Sequence, residues 1–456
     1  MPQIVFVTMF LGLTLGIHPV ELGVSDGIAR VDLRLDGEVV AVMNQAPWVA
    51  KIDFSEELEP HRLEAIAFDG EGTEVARAEQ KINASGAGSP LRLLVESDAD
   101  NHRSVVRILW SGLTSIRPDE VEASLDGRSI EVSRDLALSL PTIGDSEVRL
   151  LNVRAREGRD WIEAQLVLGG MLQSATATEL AAIPIRIGDR VPSVAEIEVS
   201  AGGSKVRPVA LDDAPAEVLI VRHPSSTEAA TRARAASPHD LSSGRLADSG
   251  MRAQSGGKHR GSLAPGDQVR FIWPVAQRGG GTMESLLFGS SQRFDTSDLG
   301  IRELLGRVSY PGESSELRFT EAVAVAGIQA LSSMRPRAIV LVIDSRYEDA
   351  SRLTPGQVRG YLDLTGVPLH VWSLVASEDL PSQATEWGTI TSIATGQEFQ
   401  NAIDALRRDL DSQRVLWIEG DWFAREVTVR SPDDASVRNL AEAGVRDQGS
   451  GIRGNE

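Results

Sequence analysis

Two stretches constrain this chain more than anything else in it. AEVLIV at 216–221 and RAIVLVID at 337–344 are continuous apolar runs rich in β-branched residues, with none of the polar alternation that a half-solvated sheet imposes. Runs this short are strands buried on both faces, so something must cover both sides of the sheet. The sequence around them supplies it at helical spacing. Ile301, Leu304, Leu305 and Val308 follow a cap offered by Thr296 and Ser297. Thr320 opens EAVAVAGIQALSSM, and Thr354 with Pro355 at the first helical position places Val358, Tyr361 and Leu362 on one face. Phe399, Ile403, Leu406 and Leu410 line a fourth helix. QVRFIWPV, SLLFG and PLHVWSLV read as further strands, and RVLWIEG with REVTVR as a terminal hairpin. Strands alternating with amphipathic helices predict an α/β doubly wound (Rossmann-like) domain whose ligands sit beyond the carboxyl ends of the strands.

The first 190 residues follow a different period. In IARVDLRLDGEVVAVM, Val31, Leu33 and Leu35 alternate with polar residues before an Asp36-Gly37 turn, a hairpin signal. APWVAKIDF and HRLEAIAFDGEGTEVARAEQKIN continue the pattern through Leu63, Ala65 and Ala67. VEASLDGRSIEV at 121–132 repeats VDLRLDGEVVAV at 31–42, which predicts two all-β sandwiches in tandem.

A chain of 456 residues is long enough for several domains, and a net charge of -19 repels phosphate backbones, so nucleic acid is not an expected partner. With no cysteine, disulfides, thiolate metal sites and cysteine nucleophiles are excluded. The apolar stretch from Ile4 to Ile17 resembles the middle of a secretory signal but lacks a basic leader and a small-residue cleavage site, and a first β-strand is expected there. No membrane-spanning segment is expected. Residues 225–262, dominated by Ser, Ala, Gly, Arg and His, read as a flexible insertion, and 431–456 as a disordered tail.

VDLRLDGEVVA, APWVAKIDF and HRLEAIAFDGEG together resemble a bacterial immunoglobulin-like domain over residues 1–85, with a weaker second copy over 90–190 marked by RILWSGL, EVRLLNVRA and WIEAQLVLG. The ordered set AEVLIV, GDQVRFIWPV, TSDLGIRELL, VLVID and VPLHVWSLV resembles a von Willebrand factor type A domain over 192–430, and the combination is similar to bacterial proteins related to that family. The resemblance implies a protein partner and a periplasmic or secreted location, while the lack of a clear signal-peptide pattern keeps the cytoplasm open.

It also implies a test. Type A domains commonly hold a divalent cation through a D-x-S-x-S sequence after the first strand, a threonine from a later loop and an aspartate after the central strand. Hard cations such as magnesium want such oxygen ligands. Here the five positions are Arg222, His223, Pro224, Ser225 and Ser226; the threonine position falls near Leu317, with Thr320 or Ser315 close by; Asp344 matches the last carboxylate. An arginine where a carboxylate belongs removes a ligand and repels the ion, so no cofactor is expected and Arg222 is expected to pair with Asp344 instead. The alternative, a cation-dependent adhesion module, keeps a magnesium ion on Ser226, Asp344 and a rearranged Thr320 or Ser315, completed by waters.

Walker loops, dinucleotide fingerprints and H-E-x-x-H helices do not occur in the sequence. Gly23-Val24-Ser25-Asp26-Gly27 fits G-x-S-x-G, but the alternation that follows it is that of a strand, whereas a hydrolase elbow enters a helix. A serine or carboxylate hydrolase therefore ranks last. The run from Asp344 to Asp349 reads as a polar loop before a capped helix, and the tryptophans as core, apart from Trp387 and Trp422, which lie in loop-like contexts. The leading expectation is a non-enzymatic interaction, adhesion or scaffold protein with a decayed cation site. Arg222, His223, Ser225, Ser226 and Asp344 are its interaction candidates.

Overall fold

A computed structural model describes residues 4–441 apart from 9, 11, 85–90, 98–103, 111–116, 126–127, 141–147, 158–159, 170–179, 189, 213, 225–262, 279–285, 297–299, 309–315, 334 and 432–436. The chain divides into two compact units, one of residues 1–87, 181–418 and 422–456, the other of residues 88–180 with 419–421.

The first strands are β1 (Ile4–Phe6), β2 (Ile17–Val24), β3 (Arg30–Leu35), β4 (Glu38–Met43), β5 (Val49–Asp53), β6 (His61–Phe68) and β7 (Glu74–Ile82). They form two sheets, β1-β2-β5 and β4-β3-β6-β7, an immunoglobulin-like sandwich. The Asp36-Gly37 turn has φ of 50° and 87°, the positive pair that a two-residue hairpin matched to strand twist requires. Alternation then decides what is buried: Val31, Leu33, Leu63, Ala65 and Ala67 lie in the core with Ile52 and Phe54. The Ser25 turn joins β2 to β3, so G-x-S-x-G sits between strands and enters no helix.

The second unit contains β8 (Leu91–Ser97), β9 (Ser104–Trp110), β10 (Glu120–Leu125), β11 (Arg128–Ile130), β12 (Ala137–Ser139), β13 (Val148–Glu157) and β14 (Asp160–Gly169). Its sheets run β11-β10-β13-β14 and β12-β9-β8 around Val106, Ile108, Leu125, Leu151 and Val153.

Beyond it the fold departs from expectation. The strands β15 (Leu180–Ile187), β16 (Glu198–Ala201), β17 (Ser204–Val206) and β18 (Pro208–Asp212) belong neither to the second sandwich nor to an α/β domain beginning at 192. They wait for strands that arrive two hundred residues later.

Between them the chain builds β19 (Glu217–Arg222), β20 (Gln268–Arg278), β21 (Leu286–Ser290), β22 (Phe294–Asp295), α1 (Ile301–Arg307), α2 (Phe319–Ser332), β23 (Arg337–Ile343), α3 (Pro355–Thr365), β24 (Leu369–Ser373), β25 (Ile390–Ser392) and α4 (Gly396–Asp411). The sheet order is β21-β20-β19-β23-β24-β25, parallel from β20 to β25, with β21 and β22 antiparallel to β20. β19 and β23 are buried at every position, as continuous apolar runs demand. Leu219, Val221, Ile339 and Leu341 pack with α2 and α3 on one face, and Val218, Ile220, Val340 and Val342 with α1 and α4 on the other.

Thr354 caps α3 with Pro355 at its first position, as read from the sequence, and the structure adds a capping box with Gln357. The cap expected for α1 differs. Gly300 is its N-cap, and the Thr296 hydroxyl is spent on the Ala264 and Asp267 carbonyls at 3.0 Å each. Ser297 lies outside the described residues.

The chain then returns through β26 (Gln413–Glu419), β27 (Val427–Arg430) and β28 (Val437–Asn439). These complete the sheets β18-β26-β15-β28 and β17-β16-β27 around Ile183, Ile185, Val199, Leu416, Ile418 and Val429. The expected terminal hairpin is therefore replaced by strands of a third sandwich, and the expected tail from 431 contains β28, paired with β15 through Ile185, Arg186 and Ile187. The α/β domain is an insertion in that sandwich. The first sandwich shares its core as well: Leu58 is buried among the α2 and α3 residues with Leu13 and Leu15 against it, and the Tyr361 hydroxyl donates to the Asn83 carbonyl at 2.9 Å.

Candidate functional site

β19 lies beside both β20 and β23, and its continuation reverses direction across the sheet, so the carboxyl ends of β19 and β23 form the switch point where such sheets bind ligands. Arg222 ends β19 level with Val342, two residues before Asp344. Both sequence candidates therefore sit at the expected mouth.

Their side chains do not meet. Strand alternation sends Arg222 to the face of Val218 and Ile220, where α1 ends. There Nη1 donates to the Leu305 carbonyl at 2.8 Å and Nη2 to the Val308 carbonyl. The guanidinium carbon lies 5.1 Å from the Phe271 ring centroid and 5.3 Å from that of Trp273. Arg222 is thus a buried C-terminal cap, supplying donors and positive charge where the helix leaves carbonyls unsatisfied. Burial pulls its pKa down to about 10, which leaves it a cation at neutral pH. Its Nε has no hydrogen-bond partner among the described residues.

Asp344 instead closes a local turn. Its carboxylate accepts from the Arg346 backbone N–H and from the Arg346 guanidinium, both at 2.8 Å. The expected Arg222–Asp344 ion pair is thereby corrected: each residue has a nearer partner, one across the sheet face and one two positions along the chain.

His223 is half-buried, its ring 6.5 Å from Phe319. Burial holds its pKa below the ordinary histidine value, against the pull of the Asp344 carboxylate. Thr320 is fully buried in the first turn of α2, and its hydroxyl donates to Asp349. That carboxylate also accepts from the backbone N–H groups of Phe319 at 2.9 Å and Thr320 at 3.0 Å, from the Ser351 hydroxyl at 2.6 Å and from the Tyr347 hydroxyl at 3.2 Å. Tyr347 in turn accepts from the Trp387 indole at 2.8 Å. Trp387 is 1% exposed, so its loop context does not put it at the surface, while Trp422 is half-buried against the Gly202 turn.

Asp349 is the residue that sequence reasoning missed. It caps a helix that begins thirty positions earlier, and only the crowding of acidic and hydroxyl residues from Asp344 to Ser351 hints at it. The polar run is a loop lashed to the N-terminus of α2, with Glu321 adding a bond to the Arg352 N–H at 3.1 Å.

Ser225, Ser226 and Ser315 lie outside the described residues. Among the described residues no group of three or more His, Asp or Glu is placed to hold a metal ion. No helix there is long and apolar enough to cross a membrane.

No family model and no curated protein matches the chain. Solved structures are similar over parts of it. Fibronectin(III)-like modules of Clostridium thermocellum CbhA are 25% identical over 17% of this chain and 92% of theirs, at a TM-score of 0.16. The central fibronectin-III array of RIM-binding protein is 11% identical over 44% of this chain and 78% of its own, at 0.23. Proximal thread matrix protein 1 from the mussel byssus is 9% identical over 51% of each chain, at 0.27. TM-scores this low establish no common fold.

Proposed function

We propose that this chain is a non-enzymatic protein-interaction module whose α/β domain is a type A domain working without a cation. The observation that carries this reading is the occupancy of the would-be ligand positions by other work. Arg222 caps α1, the Thr320 hydroxyl is bound to Asp349, and the Asp344 carboxylate is neutralised by Arg346. A magnesium ion needs six oxygens in near-octahedral array. Assembling them here means breaking the α2 cap and displacing a bound guanidinium. What the strand ends offer is a polar surface, with Ser345, Arg346 and Glu348 exposed and His223 half-buried.

Two outcomes test it. A ligand that binds only the folded state raises the unfolding midpoint, so millimolar magnesium or manganese leaves the midpoint unchanged if the reading is right, and an increase contradicts it. For the interaction itself, Arg346→Glu weakens retention of the partner by the same factor in magnesium and in chelator; a loss seen only with the metal present supports cation-dependent adhesion instead.

A further inference from the structure

The two outer strands of the β4-β3-β6-β7 sheet are treated in opposite ways by the sequence. β7 carries Glu74, Arg77, Glu79 and Lys81 along its length, and Arg77 is tied to Glu74 at 3.0 Å and Glu64 at 2.7 Å, a charged border that discourages pairing with another chain. β4 reads EVVAVM, pairs only with β3 among the described residues, and leaves Val39, Val40 and Val42 exposed by 52%, 42% and 52%. Val49, the first residue of β5 and close to β4 in space, adds another exposed side chain at 44%. Although 24% of the chain's residues are charged, Glu38 is the one charged residue on β4.

We propose that β4 is a strand-addition site for an extended segment of a partner protein, one with alternating β-branched residues and basic flanks. Charge selects this occupant. Glu38 precedes the valines and Glu21 pairs with Val49, both exposed, and neither carboxylate forms an ion pair among the described residues, although Lys51 lies on β5 and the half-buried Arg34 stands opposite Val39 on β3. The net charge of -19 opposes a second copy of the chain.

Geometry gives the same answer. Six residues of strand span about 20 Å, too short an edge for the roughly 1,000 Å² that a stable dimer interface buries. It suffices for a peptide whose affinity comes from main-chain hydrogen bonds. The register between β3 and β4 shifts so that Val40 has no partner on β3. A flexible peptide follows such a bulge, whereas two identical bulged edges do not lie flat against each other.

The test uses the full chain and two ten-residue peptides of alternating valine and threonine, one flanked by lysines and one by glutamates. The lysine-flanked peptide binds at least tenfold more tightly and slows amide hydrogen exchange across residues 38–43 without changing β7. Val42→Lys and, separately, Val40→Lys weaken binding at least tenfold at unchanged unfolding midpoint, as expected for exposed positions, and Glu38→Lys removes the preference between the peptides. Absence of binding at millimolar peptide, binding without protection of β4, or full binding by both valine variants overturns the proposal. So does a mass doubling in light scattering that Val42→Lys abolishes, because the occupant is then a second copy. The site is independent of any ion at Asp344, so a magnesium-dependent midpoint overturns the proposed function and leaves this result standing.

Discussion

The Arg222 guanidinium donates to the carbonyl of Leu305 at 2.8 Å, on the opposite task from the one its position suggests. It stands at the mouth of a doubly wound sheet, yet its charge is spent inward on the end of α1. Replacing it with methionine keeps the stem's packing but leaves the Leu305 and Val308 carbonyls without their donors. The expected loss is about 1–3 kcal/mol in denaturant unfolding. Arg222→Lys recovers only part of it, since a lysine ammonium cannot reproduce the two-pronged contact or lie over Phe271 and Trp273.

Asp349 binds the N-terminus of α2 from a distant loop. Asp349→Ala removes the cap from Phe319 and Thr320 and strands the Thr320 hydroxyl in a fully buried position, costing roughly 2–3 kcal/mol. Asp349→Asn retains an acceptor and costs less. Equal losses for the two variants would argue against the cap.

Acid sensitivity has an identifiable source at Asp409. Burial pushes its pKa upward, but the His370 hydrogen bond at 3.1 Å and the Arg186 guanidinium outweigh it and hold the carboxyl below its ordinary value. A depressed carboxylate stabilises the fold above its unfolded pKa of about 3.9, and that contribution is lost as the pH falls from there through the lower folded value. Asp409→Asn therefore flattens the stability profile below pH 4 relative to the wild type, measured as unfolding midpoint against pH.

The first sandwich and the α/β domain share a core through Leu58, which is 2% exposed. Leu58→Ala costs about 2–5 kcal/mol. Because the cavity opens among α2 and α3 residues, the near-ultraviolet signal of buried Trp387 and Tyr347 weakens in the same transition as the sandwich. A separate, earlier unfolding of the sandwich would contradict the shared core.

The sequence discloses what is local. The valine and leucine alternation around Asp36-Gly37, the apolar runs ending at Val221 and Ile343, and the Thr354-Pro355 start of α3 each declare themselves within a few residues, because turn, strand and cap chemistry act over that range. The third sandwich does not, since β15 to β18 and β26 to β28 are short and meet only after the α/β domain is complete between them. The same limit hides the site. Nothing adjacent to Arg222 names Leu305, nothing near Thr320 names Asp349, and the burial of Trp387 depends on Tyr347 forty positions away.

The central claim is that the sheet mouth holds no divalent cation. Isothermal calorimetry of magnesium and manganese into the folded chain tests it most directly, with Asp344→Ala as the control. The account predicts no saturable heat for either protein. Binding of one ion per chain that Asp344→Ala abolishes would contradict it, and would return Ser226, Thr320 and Asp344 to the role of ligands.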